Sequence, residues 1–299
     1  MEIKVENVAE SDPRFPSSLR ETQSPPSRLF VLGKLPKENS IKISIVGTRK
    51  ATLAGKQIAK HIAKDLAQLD VVIVSGLAIG IDSAAHEGAT EEKGITLAVL
   101  ANGLDKIYPA QNENLARKII ELGGALISEY PLGTPSYPNQ FLERNRIISG
   151  LSTATIVIEA PERSGSLATA RFAIEQGREV FVVPGPVNHP NYAGSHKLIR
   201  DGARLITSAK DIFEDLGIEI PNYKAQITGN SHVQDVIKKI TNKNQLLIFK
   251  TIVEAGEVLN IDKIAELTKL ESQVINQSLA LLIIDGVIKE TERGYINII

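Results

Sequence analysis

FLERNRIISGLSTATIVIEAPERSGSLATAR, residues 141–171, is the stretch that decides the fold. Its middle, Ile156-Val157-Ile158, has the length and β-branching of a buried parallel strand. Glu159 and Ala160 close that strand, Pro161 to Gly165 turn the chain, and Ser166 is placed to cap a helix over LATARFAIEQG. A strand, a glycine turn and a capped helix leave backbone N–H groups pointing past the sheet edge, where the preferred guest is an anion, usually phosphate. Arg144 and Arg146, with Asn145 between them, strengthen that bias. An ordinary βα corner with surface arginines would use the same residues, so both alternatives stand on this stretch alone.

Working outward, the scheme repeats. KISIVGTRKATLAGKQIAKHIAKDLA (42–67) and VVIVSGLAIGIDSAAHEGATEEKG (71–94) each run strand, glycine turn, helix. ITLAVLANGLDKIYP (95–109) is a strand and turn, NENLARKIIELGG (112–124) a helix and ALISEYP (125–131) a short strand. Beyond the opening stretch come a strand in EVFVVPGPV (179–187), a short helix and strand in HKLIRDGARLI (196–206), and a closing helix in SAKDIFEDLG (208–217). Alternating strands and helices predict an α/β domain over 41–217, a doubly wound, mostly parallel sheet of about six or seven strands covered on both faces. Residues 1–40, with Pro13, Pro16, Pro25, Pro26 and Pro36, read as a lead-in arm packed on that domain. Residues 218–243 are polar, mixed in charge and weakly periodic, a linker with one short helix around Val233–Ile240.

The tail, 244–299, has another rhythm: helices in NQLLIFKTIVEAG, stopped by Gly256, in NIDKIAELTKL, capped by Asn260 or Asp262, and in ESQVINQSLALLIIDG. VIKETERGYINI then alternates about Glu292-Arg293-Gly294, a hairpin signal. Three short helices and a hairpin predict a C-terminal winged-helix domain. Its third helix, Glu271 to Ile284, would enter the major groove, yet it carries no Lys or Arg, and 244–299 holds 5 basic against 8 acidic residues. Phosphate contacts need cations, so a small interaction module is favoured over a duplex reader. Leu279, Leu281, Leu282 and Ile284 are assigned to its core.

Composition excludes several classes. The 299 residues contain no Cys, hence no disulfide, thiolate chemistry or cysteine-based metal site. No apolar run approaches a membrane span, and MEIKVENVAESD lacks the basic and apolar regions of a signal peptide, so a cytoplasmic protein is expected. The net charge of −1 requires any nucleic-acid binding to use a local basic pocket.

Three glycine turns gather at the carboxyl ends of predicted strands: Gly47-Thr48-Arg49, Ser75-Gly76-Leu77-Ala78-Ile79-Gly80 and Ser164-Gly165-Ser166. In an open parallel sheet that is the ligand edge. With Arg49, Arg144 and Arg146 they suggest an extended phosphate-binding surface, with Gly76 and Gly165 allowing close approach or a positive φ. Known nucleotide loops fit poorly: Gly47 and Gly55 are too far apart for a P-loop, Lys56 is followed by Gln57, and no GxGxxG follows the first strand. Asp82 and His86 are spaced as half of a metal site, but no second pair matches. His189 and His196 lack an obvious acid partner, no GxSxG elbow supports a serine triad, and Tyr108 and Pro109 close a loop by packing. Neither a metal nor a cofactor is expected.

These motifs resemble the DNA-processing protein A family, DprA/Smf: IVGTR (45–49), SGLAIGID (75–82), LANGLDKIYP (100–109), ISEYPLGTP (127–135), FLERNRIISGLS (141–152), EAPERSGSLATARFAIEQGREVFVVPG (159–185) and GSHKLIRDGA (194–203). FPSSLRETQSPPSRLFVLG is similar to the family's lead-in to its Rossmann-like domain, and a winged-helix tail fits many members. The resemblance implies a non-catalytic single-stranded-DNA-binding protein of natural transformation and recombination. Such a protein protects incoming strands, helps to load a RecA-type recombinase, and forms a homodimer. It implies that Arg49, Arg144, Asn145, Arg146, Gly165 and Ser166 line the DNA groove. With the glycine turns and Phe141, the expected phosphate-binding set is Gly47, Thr48, Arg49, Ser75, Gly76, Ala78, Gly80, Phe141, Arg144, Asn145, Arg146, Ser164, Gly165 and Ser166. Two departures are the lack of a sterile-alpha-motif domain before the arm and Glu143 beside Arg144, which would lower affinity. The alternative is a nucleotide phosphoribohydrolase (LOG) enzyme, whose PGGxGTxxE glutamate falls here on Thr169, leaving no acid/base carboxylate.

Overall fold

A computed structural model describes residues 4–218, 236–237, 240–255, 258–291 and 294–297. The chain divides into two compact units, Met1–Glu219 and Ile220–Ile299. The β-branched runs of the first unit become β3 (Lys42–Val46), β4 (Val72–Ser75), β5 (Thr96–Val99), β6 (Ala125–Ser128), β7 (Ala154–Val157), β8 (Glu179–Val182) and the two-residue β9 (Arg204–Leu205). All seven are parallel. Two further strands come from the lead-in arm: β1 (Glu6–Ala9) and β2 (Arg28–Gly33) pair with each other, and β2 pairs with β6, both antiparallel. The arm therefore extends the sheet, which reads β1-β2-β6-β5-β4-β3-β7-β8-β9. Its RLFVLG run supplies the apolar side chains that an edge beside β6 can bury.

Helices join the strands: α1 (Ser17–Arg20) in the arm, then α2 (Leu53–Gln68), α3 (Ile81–Glu91), α4 (Glu113–Glu121), α5 (Pro138–Gly150), α6 (Gly165–Glu175), α7 (Ala193–Arg200) and α8 (Ala209–Leu216). α5, which covers about the first third of the opening stretch, was not evident as a helix in the sequence. Tyr137 and Gln140 form its N-terminal box, with Pro138 inside the first turn, where a missing N–H costs nothing. Strands β3 to β7 are buried along their length. On one face Val46, Val74, Val99 and Val157 cluster with Ile147 and Ile148 of α5, Ala170 and Ala173 of α6, and Phe15 and Leu19 of the arm. On the other, Ala98 and Leu126 cluster with Ala116 and Ile119 of α4. The chain winds outward from β3 to β6 and returns through α5 to β7 on the other side of β3, so the order reverses between β3 and β7.

The second unit contains α9 (Lys243–Ala255), α10 (Ile261–Thr268) and α11 (Ser272–Ile284), followed by β10 (Ile288–Thr291) paired antiparallel with β11 (Gly294–Asn297). Asn260, rather than Asp262, caps α10, accepting from Lys263 N at 2.8 Å. Leu279 and Leu282 enter a core with Phe249, Ile252, Ile264 and Ile275. Leu281 and Ile284 do not: they are 48% and 78% exposed, because successive turns of α11 carry them off the face that Leu279 and Leu282 share. Gly256, Glu292 and Arg293 of the expected hairpin, and most of the 218–243 stretch, Val233 to Asp235 included, lie outside the described residues. Among the described residues no helix is long and apolar enough to cross a membrane.

Candidate nucleic-acid interface

The reversal between β3 and β7 opens a crevice beyond the carboxyl ends of the strands, where open α/β sheets bind ligands. It is a cleft of about 700 Å³. One wall is the turn after β3, Gly47 to Lys50; the second is the face of α5 carrying Phe141, Leu142, Asn145 and Ile148; the third is the turn Pro161 to Ser166 with Thr169 of α6. Of the residues expected from sequence, Gly47, Thr48, Arg49, Ala78, Phe141, Arg144, Asn145, Ser164, Gly165 and Ser166 all line it.

Their roles differ. The Arg49 side chain is exposed and stacks over Phe141, its guanidinium carbon 4.8 Å from the ring centroid. Tyr108 tilts against Phe141 at 5.6 Å and is 46% exposed, so it faces the cleft instead of closing a loop by packing. Asn145 Nδ2 donates to Gly165 O at 3.1 Å and ties α5 to the start of α6. Ser164, not Ser166, caps α6: its Oγ accepts from Ser166 N at 3.3 Å, and the helix begins two residues earlier than expected, at Gly165. A Cβ at Gly165 would meet nothing within 4 Å, so the first turn of α6 lies open to the cleft.

Arg144 is on the wall but not free. It is 4% exposed, and its Nη1 donates to Gly76 O at 2.7 Å and to Val99 O, bracing the ends of β4 and β5. Burial lowers its pKa to about 10, against the attraction of Asp82, so it stays a cation at neutral pH. Asp82 accepts from Gly76 N at 3.1 Å and Ala78 N at 3.4 Å; burial raises its pKa, and the Arg144 charge and those amides oppose the rise. Gly76 is explained by the same group: its φ is not positive, and a Cβ there would lie 2.5 Å from Arg144 Nη1.

Four expected residues are not on the cleft wall. Arg146 is two positions from Arg144, about 200° around an α-helix, and cannot share its face. It pairs with Glu129 and donates from Nη1 to Ser24 O at 2.9 Å, fastening the arm. Ser75 is buried, its hydroxyl donating to Ile45 O at 2.6 Å inside the sheet. Gly76 lies under Arg144. Gly80 is the N-cap of α3 at φ 95°, and a Cβ would meet Thr48 O at 2.4 Å. Glu143 is also off the wall, held by Tyr130 OH at 2.7 Å and Asn139 Nδ2 at 3.2 Å.

Two cations were overlooked in the sequence, Lys50 and Arg163; both are exposed on the wall, and each directly adjoins a glycine-turn motif. With Arg49 and buried Arg144 they face one lining carboxylate, Asp82, among the described residues. His86 is buried behind the wall. The Thr96 hydroxyl donates to Ile73 O at 2.7 Å, so His86 Nδ1 must donate to Thr96 Oγ1, also at 2.7 Å, leaving Nε2 without a partner. Burial, and then Arg144, push its pKa down to about 3. Asp82 and His86 thus point to separate partners. The arrangement offers cations, an open helix N-terminus and an aromatic pair to a guest carrying both phosphates and bases.

The family model for DNA recombination-mediator protein A matches residues 6–217. The chain is 46% identical over 202 residues to Protein Smf of Escherichia coli, covering 68% of this chain and 54% of that protein. It is 44% identical over 213 residues to DNA processing protein DprA of Bacillus subtilis, covering 71% of each. The match thus spans only about half the length of the Escherichia coli relative. Among solved structures, DNA processing protein A from Streptococcus pneumoniae superposes with a TM-score of 0.67 at 38% identity, over 71% of this chain and 74% of that one. DNA processing protein A from Helicobacter pylori, described in terms of its unique single-stranded DNA binding mode, gives 0.64 at 29% identity, over 72% and 96%.

Proposed function

Because the chain belongs to the DNA recombination-mediator protein A family, we propose that its first unit binds single-stranded DNA across the cleft between β3 and β7. The convergence of exposed Arg49, Lys50 and Arg163 with the open first turn of α6 and the Tyr108–Phe141 pair carries this assignment. Phosphates take the cations and the N–H groups; bases take the ring faces, which accept any sequence. The bland alternative, a βα corner that binds nothing, does not account for cations and rings meeting in one crevice. The role that follows is protection of single strands during transformation and recombination, with handover to a RecA-type recombinase, by a cytoplasmic homodimer. The three helices and ribbon of the second unit fit a winged helix acting as an interaction module.

We assign no catalysis to the cleft. Hydrolysis of a small nucleotide needs a free acid/base carboxylate. Thr169 stands where that glutamate would be, and Asp82 is engaged with the Gly76 and Ala78 amides. Fluorescence anisotropy with oligo-dT across a salt series tests the binding assignment. Arg49→Ala and Arg163→Ala should each weaken binding and lower the salt slope by ~0.7, one single-strand phosphate contact apiece. A double variant that binds like the wild type overturns it.

A further inference from the structure

Glu159 stands two residues beyond β7 at the reversal point and is fully buried. A buried carboxylate is costly unless donors surround it. This one has four. Oε2 accepts from Thr52 N at 3.0 Å and Asn191 Nδ2 at 2.9 Å; Oε1 accepts from Thr52 Oγ1 at 2.5 Å and Tyr192 OH at 3.1 Å. Burial works to raise its pKa, but these bonds prevail and hold it below the usual carboxylate range.

Three of the four tie the carboxylate to the turn that bears Arg49 and Lys50, two through Thr52 and one by way of Asn191, and the Tyr192 hydroxyl supplies the fourth. Thr48 N donates to Glu159 O at 2.8 Å. Asn191 Nδ2, bound to the carboxylate, also donates to Lys50 O at 3.0 Å. Thr52 is the N-cap of α2, its Oγ1 accepting from Gly55 N at 2.9 Å. The backbone of residues 48 to 52 is thus pinned at its start, middle and end, while the Arg49 and Lys50 side chains remain exposed. The sequence clears space for this arrangement. A Cβ at Gly55 would fall 2.4 Å from Glu159 Oε1, and one at Gly185 would fall 2.1 Å from the Tyr192 ring.

The place itself is informative. In doubly wound sheets the N-terminus of the helix in the first βα turn is where a nucleotide phosphate sits. Here that place holds the chain's own carboxylate, so an external anion must lie further out, on the side chains of Arg49, Lys50 and Arg163.

We propose that Glu159, acting with Asn191 and Tyr192, is a positioning residue for DNA binding: it fills the phosphate seat of the first βα turn and fixes the turn that presents Arg49 and Lys50 to the strand. The proposal rests on the assignment of the cleft to single-stranded DNA. Glu159 reaches DNA only through Arg49 and Lys50, so its effect should be non-additive with theirs.

The test is a double-mutant cycle in the full chain, with oligo-dT affinity, salt slope and thermal melting read together. Glu159→Gln keeps the shape but turns an acceptor into a donor facing other donors. It should weaken binding about tenfold. Asn191→Ala removes the Glu159–Lys50 link from a half-buried loop and remains informative where Glu159→Gln folds poorly; it should weaken binding by a smaller factor with melting unchanged. In both backgrounds, adding Arg49→Ala should cost clearly less affinity and less salt slope than it does in the wild type. An undiminished Arg49→Ala loss in both backgrounds would overturn the proposal and leave Glu159 a stability residue. An Arg49→Ala variant that binds like the wild type would overturn the cleft assignment and this proposal with it.

Discussion

Arg144→Ala should act on folding rather than on DNA contact. The guanidinium is the donor for Gly76 O and Val99 O and the nearby positive charge for buried Asp82. Truncation leaves two strand-end carbonyls without that donor, each worth about 1–3 kcal/mol when stranded. It also leaves a buried carboxylate facing no cation; removing one partner of a buried charge pair costs about 3–5 kcal/mol. These terms overlap, since Asp82 can take up a proton and water can enter from the cleft, so a loss of ~3–5 kcal/mol is expected. That is a large part of the ~5–15 kcal/mol of a typical fold. Urea unfolding reads the loss as a lower midpoint at unchanged slope. Oligo-dT binding by the fraction that remains folded should keep the wild-type salt slope. If Arg144→Ala unfolds within ~0.5 kcal/mol of the wild type and its salt slope falls by ~0.7, the guanidinium contacts phosphate and the structural role is wrong.

Gly165→Val should leave melting close to the wild type, because its Cβ meets nothing within 4 Å and no positive φ is required, yet abolish oligo-dT binding by covering the first turn of α6; retained binding would place the strand elsewhere. Acid titration of stability should expose His86. Its pKa of about 3 in the fold lies below the 6.5 of the unfolded chain, so the unfolded state binds the extra proton, and stability is lost as pH falls from about 6.5 toward 3. The slope should approach ~1.4 kcal/mol per pH unit, and urea midpoints of His86→Gln should lack this component. A chain ending at Gly217 should keep its oligo-dT affinity within about tenfold, ~1.4 kcal/mol, and 244–299 alone should not shift a duplex in a gel, since Gln273, Asn276 and Gln277 on α11 have no cation beside them.

The sheet was legible because β-branched runs between glycine turns have few other uses: β3, β4, β5 and β6 fall within the runs that suggested them, whereas β7 begins two residues before Ile156 and stops one short of Ile158. The arm was less so. RLFVLG is visibly apolar, but nothing local says that it pairs antiparallel with β6, nearly a hundred residues away. Within the site, proximity to a glycine turn found Arg49 and Gly165 and, pressed one residue further, would have found Lys50 and Arg163. Helical period alone separates Arg144 from Arg146, once Pro138 to Gly150 is known to be a helix. The burial of Arg144 had no local signal, because arginine is ordinarily exposed and its acceptors sit 68 and 45 positions away. Glu159 likewise looked like the end of a strand, because its donors come from two turns distant in sequence.

The span of those bonds sets a timetable. Lys50 and Asn191 are 141 positions apart in the chain, and Glu159 stands 107 positions after Thr52. At roughly 5–20 residues per second on the ribosome, the turn bearing Arg49 waits about 7–28 s for the residues that brace it. Over most of that interval β3 can pair with β4, but its other edge, reserved for β7, stays open, and an open edge invites any passing strand. Non-local closure of this kind is also slow once the whole chain is available. Competence to bind a strand therefore matures in one late step with the centre of the sheet, and a nascent chain stalled before Tyr192 holds the cations without the frame that aims them.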